Sequence, residues 1–172
     1  MTTTETSLDE ASTDASDGAA SSILSWVAAD DHKKVGRLYL ILGTLGLLAT
    51  VVLNVIINVE RIDGTDTVLD EDAWAQLFDA QRIGLVFGAL LPLAMGLCLV
   101  VVPLQLGARA MAFPRMAMAG LWAWLGGAVL CDIALVNDGG SAGLESDMVG
   151  LYIASQGLMA IGLVASAGAL VT

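Results

Sequence analysis

The chain has 172 residues, of which 56% are hydrophobic. Soluble domains are nearer about 45–50% apolar, so this composition, with a mean hydropathy of +0.77, predicts a membrane protein. The net charge is −11, and the acidic residues concentrate near the N-terminus and between Glu60 and Asp79. Because binding to nucleic acid requires clustered Lys and Arg, this distribution excludes nucleic acid as a partner.

The first segment, residues 1–30, is rich in Ser, Thr, Asp and Ala. Such a segment cannot bury a core, which predicts a disordered tail. It begins with acidic rather than basic residues and so does not resemble a secretory signal. His32, the single histidine, follows this tail beside Lys33 and Lys34. We interpret it as an interfacial polar residue rather than a metal ligand, because it lies beside basic residues ahead of the first apolar segment.

Four long apolar segments follow, and each predicts a transmembrane helix. At 1.5 Å per residue, a helix of about 20 residues crosses a hydrocarbon core of ~30 Å. The sequence therefore predicts an all-α membrane protein, embedded in the lipid bilayer through residues 31–172. The four predicted spans cover residues 38–59, 83–106, 117–136 and 148–171.

The basic residues predict the orientation of these spans. Three precede span 1 and two lie between spans 2 and 3, whereas only two flank the loop between spans 1 and 2. The loop between spans 3 and 4 has none. Because cytoplasmic loops carry the excess of Lys and Arg, we expect a cytoplasmic N-terminus, in a prokaryotic plasma membrane. The five residues on the predicted cytoplasmic side are Lys33, Lys34, Arg37, Arg109 and Arg115.

Small and polar residues within the spans predict close helix contacts. Glycine lets helices approach each other in lipid, and it recurs in every span. Asn54 and Asn58 are four residues apart and share a face of span 1, where they are expected to bond a neighbouring helix. The two isolated cysteines, Cys98 and Cys131, are interpreted as packing residues. The glycines concerned are Gly43, Gly46, Gly84, Gly88, Gly120, Gly126, Gly127, Gly157, Gly162 and Gly168.

Asp132 is a carboxylate within span 3. Two interpretations stay open. An acidic residue inside a membrane span is a functional-site hypothesis by default. Alternatively, Asp132 reaches the outer interface near Asn137 and Asp138. Near the other end of the span, Trp122 and Trp124 fit an interfacial aromatic belt.

The stretch VPLQLGARAMAFPRM, residues 102–116, predicts a polar turn between spans 2 and 3. Pro103 and Pro114 are expected to fix this turn, with Pro114 at the first helical position of span 3. Arg109 and Arg115 are expected to bind helix-end carbonyls and headgroups and to set the topology.

This turn resembles the one between helices two and three of subunit I of the heme–copper oxidases, the cytochrome c oxidase core. That family reads VPL-x-x-G-A-x-D-M-A-F-P-R at this position. Residues 31–49, DHKKVGRLYLILGTLGLLA, are similar to the family's entry to helix one, and residues 147–172 are similar to its helix four. The resemblance covers residues 31–172 and implies the first four of twelve family helices. It also implies heme and copper for the wider assembly.

The positions that resemble the family's redox site differ from its pattern. Its helix two opens T-x-H-G, with a histidine that binds the low-spin heme. Counted from Pro92, that position falls on Gln81, and counted from Pro103 it falls on Ala80. Asn58 stands where the family has a heme-contacting arginine.

The positions that resemble the family's proton path differ in the same way. Ala110 replaces the family aspartate of the turn, and the asparagine that the family places before VPL is absent from MGLCLVVVPL. In helix four, Gln156 replaces a histidine. Met95, Met159 and Cys98 lie within the spans, but without a second strong ligand they do not predict a heme site.

Two functions follow from the resemblance. The chain is expected to be a cytochrome c oxidase subunit I-like component of a respiratory terminal oxidase, packed against other oxidase-type membrane subunits. The alternative is a catalytically silent structural or assembly paralogue. In both cases we expect no catalytic residue, metal or cofactor on this chain alone, and whether it is part of an enzyme stays open. Because the chain stops at Thr172 without a polar flank, we also expect either a fragment or a partner covering that end.

Overall fold

The fold consists of helices throughout the part of the chain described by the computed structural model: residues 32–62, 71–107, 113–137, 139–140, 143 and 145–171. The predicted disordered tail, Arg109, Ala110 and Asp138 lie outside these residues, as does the side chain of His32. The helices are α1 (His32–Ile62), α2 (Glu71–Ile83), α3 (Leu91–Gln105), α4 (Pro114–Val136) and α5 (Ser146–Val171). A π-helical segment, Gly84–Leu90, joins α2 to α3.

Four helical stretches within the described residues are long and apolar enough to cross a membrane. This confirms the four predicted spans and the all-α class. The stretches are Lys33–Ile62, Ala73–Gln105, Pro114–Val136 and Ser146–Leu170.

The second stretch starts well before the predicted residue 83. Its first part, α2, is amphipathic rather than uniformly apolar, and Trp74 stacks on Phe78 with ring centroids 5.5 Å apart. The guanidinium of Arg82 lies 5.8 Å from the Phe78 ring centroid. Apolar character therefore identified the crossing helix, but it missed the polar helical turns that precede it.

The bundle is held together where glycines bring backbones into contact. The most extensive packing joins α4 to α5, and α1 packs along the π-helical segment and α3. A Cβ atom added at Gly162 would lie 2.5 Å from the carbonyl oxygen of Gly120, and one added at Gly43 would lie 2.9 Å from the Leu93 side chain. Gly126 and Gly157, by contrast, have no such neighbour within 4 Å. The predicted use of glycine at helix contacts holds for some positions and not for others.

A buried hydrogen-bond chain links three of the spans. The Tyr39 hydroxyl on α1 donates to Ser166 Oγ on α5 at 2.8 Å, and Ser166 Oγ donates to the Ala117 carbonyl on α4 at 3.2 Å. Both side chains are fully buried. Because no water is available at this depth to replace these bonds, they fix the relative positions of α1, α4 and α5.

Two sequence-based expectations need correction. Trp122 is 44% exposed, as an interfacial residue would be, but Trp124 is 3% exposed and packs inside the bundle. Two residues apart on a helix of 3.6 residues per turn, the two rings point to nearly opposite faces. Pro103 is buried within the last turn of α3 rather than in the turn. The helix continues to Gln105 and ends before Gly107, whose φ is +68°. Glycine adopts this conformation without steric cost.

The predictions for Pro114 and Arg115 concern the start of α4. Pro114 is the first residue of this helix, as expected. Arg115 follows it and is exposed. Its expected contact with headgroups stays a prediction.

Candidate functional site

The candidate site is a cavity of about 220 Å³ lined by α1, the end of α2, the π-helical segment, α4 and α5. Its walls are almost entirely apolar, and six of the lining residues are glycine or alanine. The small residues are Gly46, Ala49, Ala80, Gly84 and Gly88, together with Ala128. The larger lining residues include Thr50, Trp124, Cys131, Asp132 and Met159.

The π-helical segment forms one wall of this cavity. π-helices are rare and occur mostly as single-turn insertions at functional sites. Within the segment, Gly84 and Gly88 both line the cavity. The lack of a side chain at Gly46 lets α1 approach the segment so closely that a Cβ atom added there would overlap the Gly88 carbonyl oxygen. The segment therefore places backbone, rather than side chains, against α1.

Trp124 connects the opposite wall to the same segment. Its Nε1 donates a hydrogen bond to the carbonyl oxygen of Phe87 at 2.8 Å, and its ring lies 5.7 Å from the ring of Tyr39. The indole N–H is a donor only, and a buried tryptophan usually needs a partner for it. A backbone carbonyl of the π-helical segment meets that need and orients the ring beside the cavity.

The cavity contains few polar groups. The Thr50 hydroxyl donates to the Gly46 carbonyl at 2.8 Å, within its own helix. Asp132 borders the cavity near the end of α4, with its side chain exposed to the exterior as well. Both interpretations of Asp132, including its candidacy as a proton-path group, stay predictions.

The sequence matches the family described as "Cytochrome C and Quinol oxidase polypeptide I" over residues 34–172. The chain belongs to this family. It is 31% identical over 113 residues to a probable cytochrome c oxidase subunit 1 of Bradyrhizobium diazoefficiens, covering 64% of this chain and 17% of that one. It is 32% identical over 124 residues to a quinol oxidase subunit 1 of Bacillus spizizenii, covering 72% and 19%.

A third relative is a cytochrome bo(3) ubiquinol oxidase subunit 1 of Buchnera aphidicola, 32% identical over 113 residues, or 64% of this chain and 17% of the relative. The matched region thus spans less than a fifth of these curated relatives. Membership in the oxidase subunit I family establishes the class of this membrane protein. The activities named for the full-length relatives belong to those proteins.

The residues that the resemblance assigns to the family's heme positions do not meet in one place. Ala80 lines the cavity with a methyl group, whereas Gln81 is half-buried and Asn58 lies exposed on the outside of α1. The Asn58 amide donates to the Asn54 carbonyl at 2.7 Å, within the same helix. Asn58 and Asn54 were expected to bond a neighbouring helix, but in this structure they bond each other. Gln156 is half-buried on α5.

The cavity residues do not fit a low-spin heme. Pockets for drug-sized ligands measure roughly 300–1,000 Å³, more than the volume here, and no imidazole is found among the described residues that line the walls. Met159 does line the cavity, but its side chain is 2% exposed and packs at Gly127, where an added Cβ would lie 2.7 Å from Met159 Cγ. Among the described residues, no group of three or more His, Cys, Asp or Glu side chains is placed to hold a metal ion. That this chain holds no heme or copper stays a prediction.

Replacing Trp124 by phenylalanine is expected to lower the free energy of unfolding by about 1–3 kcal/mol, the cost of a buried polar group left without its partner. The ring keeps most of its packing, but the Phe87 carbonyl loses the indole donor. Urea or dodecyl sulfate titration of the detergent-solubilised chain measures the change. Trp122→Phe is the matched control because that ring is 44% exposed. Equal effects of the two substitutions would contradict the role given to the Trp124 bond.

Proposed function

We propose that this chain is a cytochrome c oxidase subunit I-like membrane component of a respiratory terminal oxidase assembly, and that it contributes helices rather than heme or copper ligands. The observation that carries the proposal is Ala80 at the wall of the central cavity. Counted from Pro103, the family's heme-ligand position falls on the methyl group of Ala80. Counted from Pro92, it falls on the half-buried amide of Gln81. Neither group supplies the axial nitrogen, sulfur or phenolate that binds heme iron in proteins.

Association with other oxidase-type membrane subunits is part of the proposal. The relatives that carry the family's named oxidase activities are several times longer than the matched region. These four helices would reach oxygen chemistry only as part of a larger assembly that supplies the metal centres. In that assembly its residues act by packing, and no redox step is assigned to them.

The alternative function is a catalytically silent structural or assembly paralogue. This alternative also assigns no heme or copper ligands to the chain. It differs in how long the chain stays bound to the oxidase. A component stays in the finished oxidase, whereas an assembly factor leaves it. The apolar walls of the cavity and the glycine contacts of the bundle are compatible with either.

Optical difference spectroscopy tests the first half of the proposal. The full chain, purified after expression with heme supplied, is expected to show no reduced-minus-oxidised low-spin heme bands. Bands at one heme per chain would overturn it. In that case the Met159→Leu variant, which removes a thioether from the cavity wall, would show whether that sulfur is a ligand.

Purification of a tagged chain from its own membranes tests the second half. A component of the oxidase is expected to co-purify in constant ratio with heme-bearing oxidase subunits, and its deletion is expected to lower oxygen uptake. A finished oxidase that lacks the chain and keeps full activity would instead favour the assembly paralogue.

A further inference from the structure

The hydrogen-bond pattern of the π-helical segment leaves the Phe87 carbonyl without a donor from its own helix. The Leu91 N–H donates to the Val86 carbonyl, five residues back, which is the π-helical spacing. The next bond with this spacing would run from residue 92 to the Phe87 carbonyl. Residue 92 is a proline, and proline has no N–H to donate.

Trp124 of α4 supplies the missing donor. Its Nε1 donates to the Phe87 carbonyl at 2.8 Å, and its side chain is 3% exposed. This bond matters because a carbonyl within a membrane span has no water to accept from. In an α-helical register, with bonds four residues apart, the Leu91 N–H would bond the same carbonyl instead. Trp124 therefore favours the π-helical register, in which Leu91 is not available to Phe87.

Pro92 disfavours the α-helical register for a different reason. In an α-helix, a proline ring clashes with the carbonyl group four residues before it, which here belongs to Gly88. That carbonyl already lies against α1, because a Cβ atom added at Gly46 would overlap its oxygen. The Pro92 ring is itself fully buried. Neither group has space to move away from the other, so Pro92 and Trp124 stabilise the same register.

The register determines which residue of α2 faces the cavity. A π-helical turn contains one residue more than an α-helical turn. The described residues 73–83 of α2 are all exposed or half-buried, whereas α3 buries four residues. A change of register would therefore turn α2 by about 100° and leave α3 in place. Ala80 lines the cavity now, and with one residue fewer in the turn Gln81 would take its position.

We propose that Gly84–Leu90 is a two-register segment, which Pro92 and Trp124 together keep in its π-helical register. This register places the methyl group of Ala80, rather than the amide of Gln81, at the cavity wall. Every group involved belongs to this chain and lies inside the described bundle, so the proposal does not depend on what surrounds the bundle in the membrane. Neither Ala80 nor Gln81 supplies an iron ligand, so the register is tested separately from the absence of heme.

Disulfide formation with α1 reports the register. A Cβ atom added at Gly84 would lie 2.9 Å from Thr50 Oγ1, which brings the two Cβ positions into the range of about 3.5–4.5 Å that a disulfide requires. Leu85 is 43% exposed and would take the place of Gly84 only in the α-helical register. Thr50→Cys is therefore expected to cross-link at least about tenfold faster with Gly84→Cys than with Leu85→Cys, since Cβ atoms that point apart cannot be bridged.

The double variant Pro92→Ala, Trp124→Phe is expected to reverse this preference. It supplies an N–H at position 92 and removes the indole donor, so the α-helical register then bonds every carbonyl of the segment. In this background Thr50→Cys should cross-link faster with Leu85→Cys than with Gly84→Cys. Each single substitution should keep the original preference, because the other residue still favours the π-helical register.

The matched control is Pro92→Ala combined with Trp122→Phe, which removes an indole that is 44% exposed. It is expected to keep the original preference. Continued preference for Gly84→Cys in the Trp124 double variant, or equal rates for the two pairs, would overturn the proposal. Full reversal by either single substitution would also overturn it, because one residue alone would then set the register.

The measurement uses the full chain in liposomes, with the free thiols of Cys98 and Cys131 replaced by alanine. Copper phenanthroline catalyses the cross-link, and dissolved oxygen accepts the electrons of the two thiols. Trypsin cuts at Arg61 and Arg82, which separate the two cysteines in the sequence, so mass spectrometry identifies each disulfide as a linked pair of peptides. Circular dichroism of every variant checks that the helical content is unchanged.

Discussion

Valine at Gly162 is expected to force α4 away from α5 and to destabilise the bundle by about 3 kcal/mol, the upper range for overpacking in a core. A Cβ atom there would lie 2.5 Å from the Gly120 carbonyl oxygen and 2.5 Å from the Trp124 amide nitrogen. Both neighbours are backbone atoms of α4, so no side-chain rotation relieves the overlap. The helix axes must separate, and the packing across the largest contact of the bundle is lost.

Gly120→Val is expected to act equally strongly from the other helix. A Cβ atom at Gly120 would overlap Ser166 Oγ and the Gly162 carbonyl oxygen. Ser166 links Tyr39 on α1 to Ala117 on α4. The substitution therefore also breaks the buried hydrogen-bond chain, and it disturbs three spans instead of two.

The controls for this crossing lie on the same helices. Gly157 on α5 and Gly126 on α4 have no atom within 4 Å of an added Cβ, so valine there changes only local helix propensity. Free energies of unfolding for the four variants, measured by dodecyl sulfate titration in mixed micelles, give the comparison. If Gly157→Val destabilises as much as Gly162→Val, the close approach of α4 and α5 is not what the glycines provide.

The sequence was sufficient to predict the four spans because apolar runs of about 20 residues have few other structural uses. It was not sufficient to choose among the glycines. Gly120 and Gly126 occur in the same helix and in similar apolar surroundings, yet only Gly120 faces another backbone. The difference depends on which face meets α5, and the uniformly apolar sequence of α4 does not show its buried face. Trp124 was misplaced for the same reason.

The site was predictable only in part. Resemblance to the family drew attention to Ala80, and Ala80 does line a central cavity. The π-helical segment and the bond from Trp124 to Phe87 were not predicted. The only hint of this wall in the sequence was the pair of glycines Gly84 and Gly88, four residues apart, which indicates a close helix contact. However, no local pattern distinguishes a π-helical turn from an α-helical one when the residues are all small or apolar. Asp132 stayed ambiguous because its position depends on how α4 sits against the cavity.

The two glycines that meet at this cavity are expected to respond to alanine with opposite consequences. A Cβ atom at Gly46 would overlap the Gly88 carbonyl oxygen, whereas a Cβ atom at Gly88 would have nothing within 4 Å. Gly46→Ala should therefore push α1 away from the π-helical segment and lower the free energy of unfolding by about 2 kcal/mol. Gly88→Ala should leave it unchanged or raise it by up to about 1 kcal/mol, since alanine favours the helix.

Unfolding titrations of the two alanine variants measure this difference, with Gly126→Ala as a second position that has open space around it. The asymmetry is informative because the same residue type is changed in the same way on both sides of one contact. A general intolerance of alanine in these helices would lower both stabilities alike. A loss confined to Gly46→Ala requires that the α1 backbone itself rests against the Gly88 carbonyl. This contact closes one side of the cavity, so the result tests the geometry of the candidate site and not only the stability of the fold.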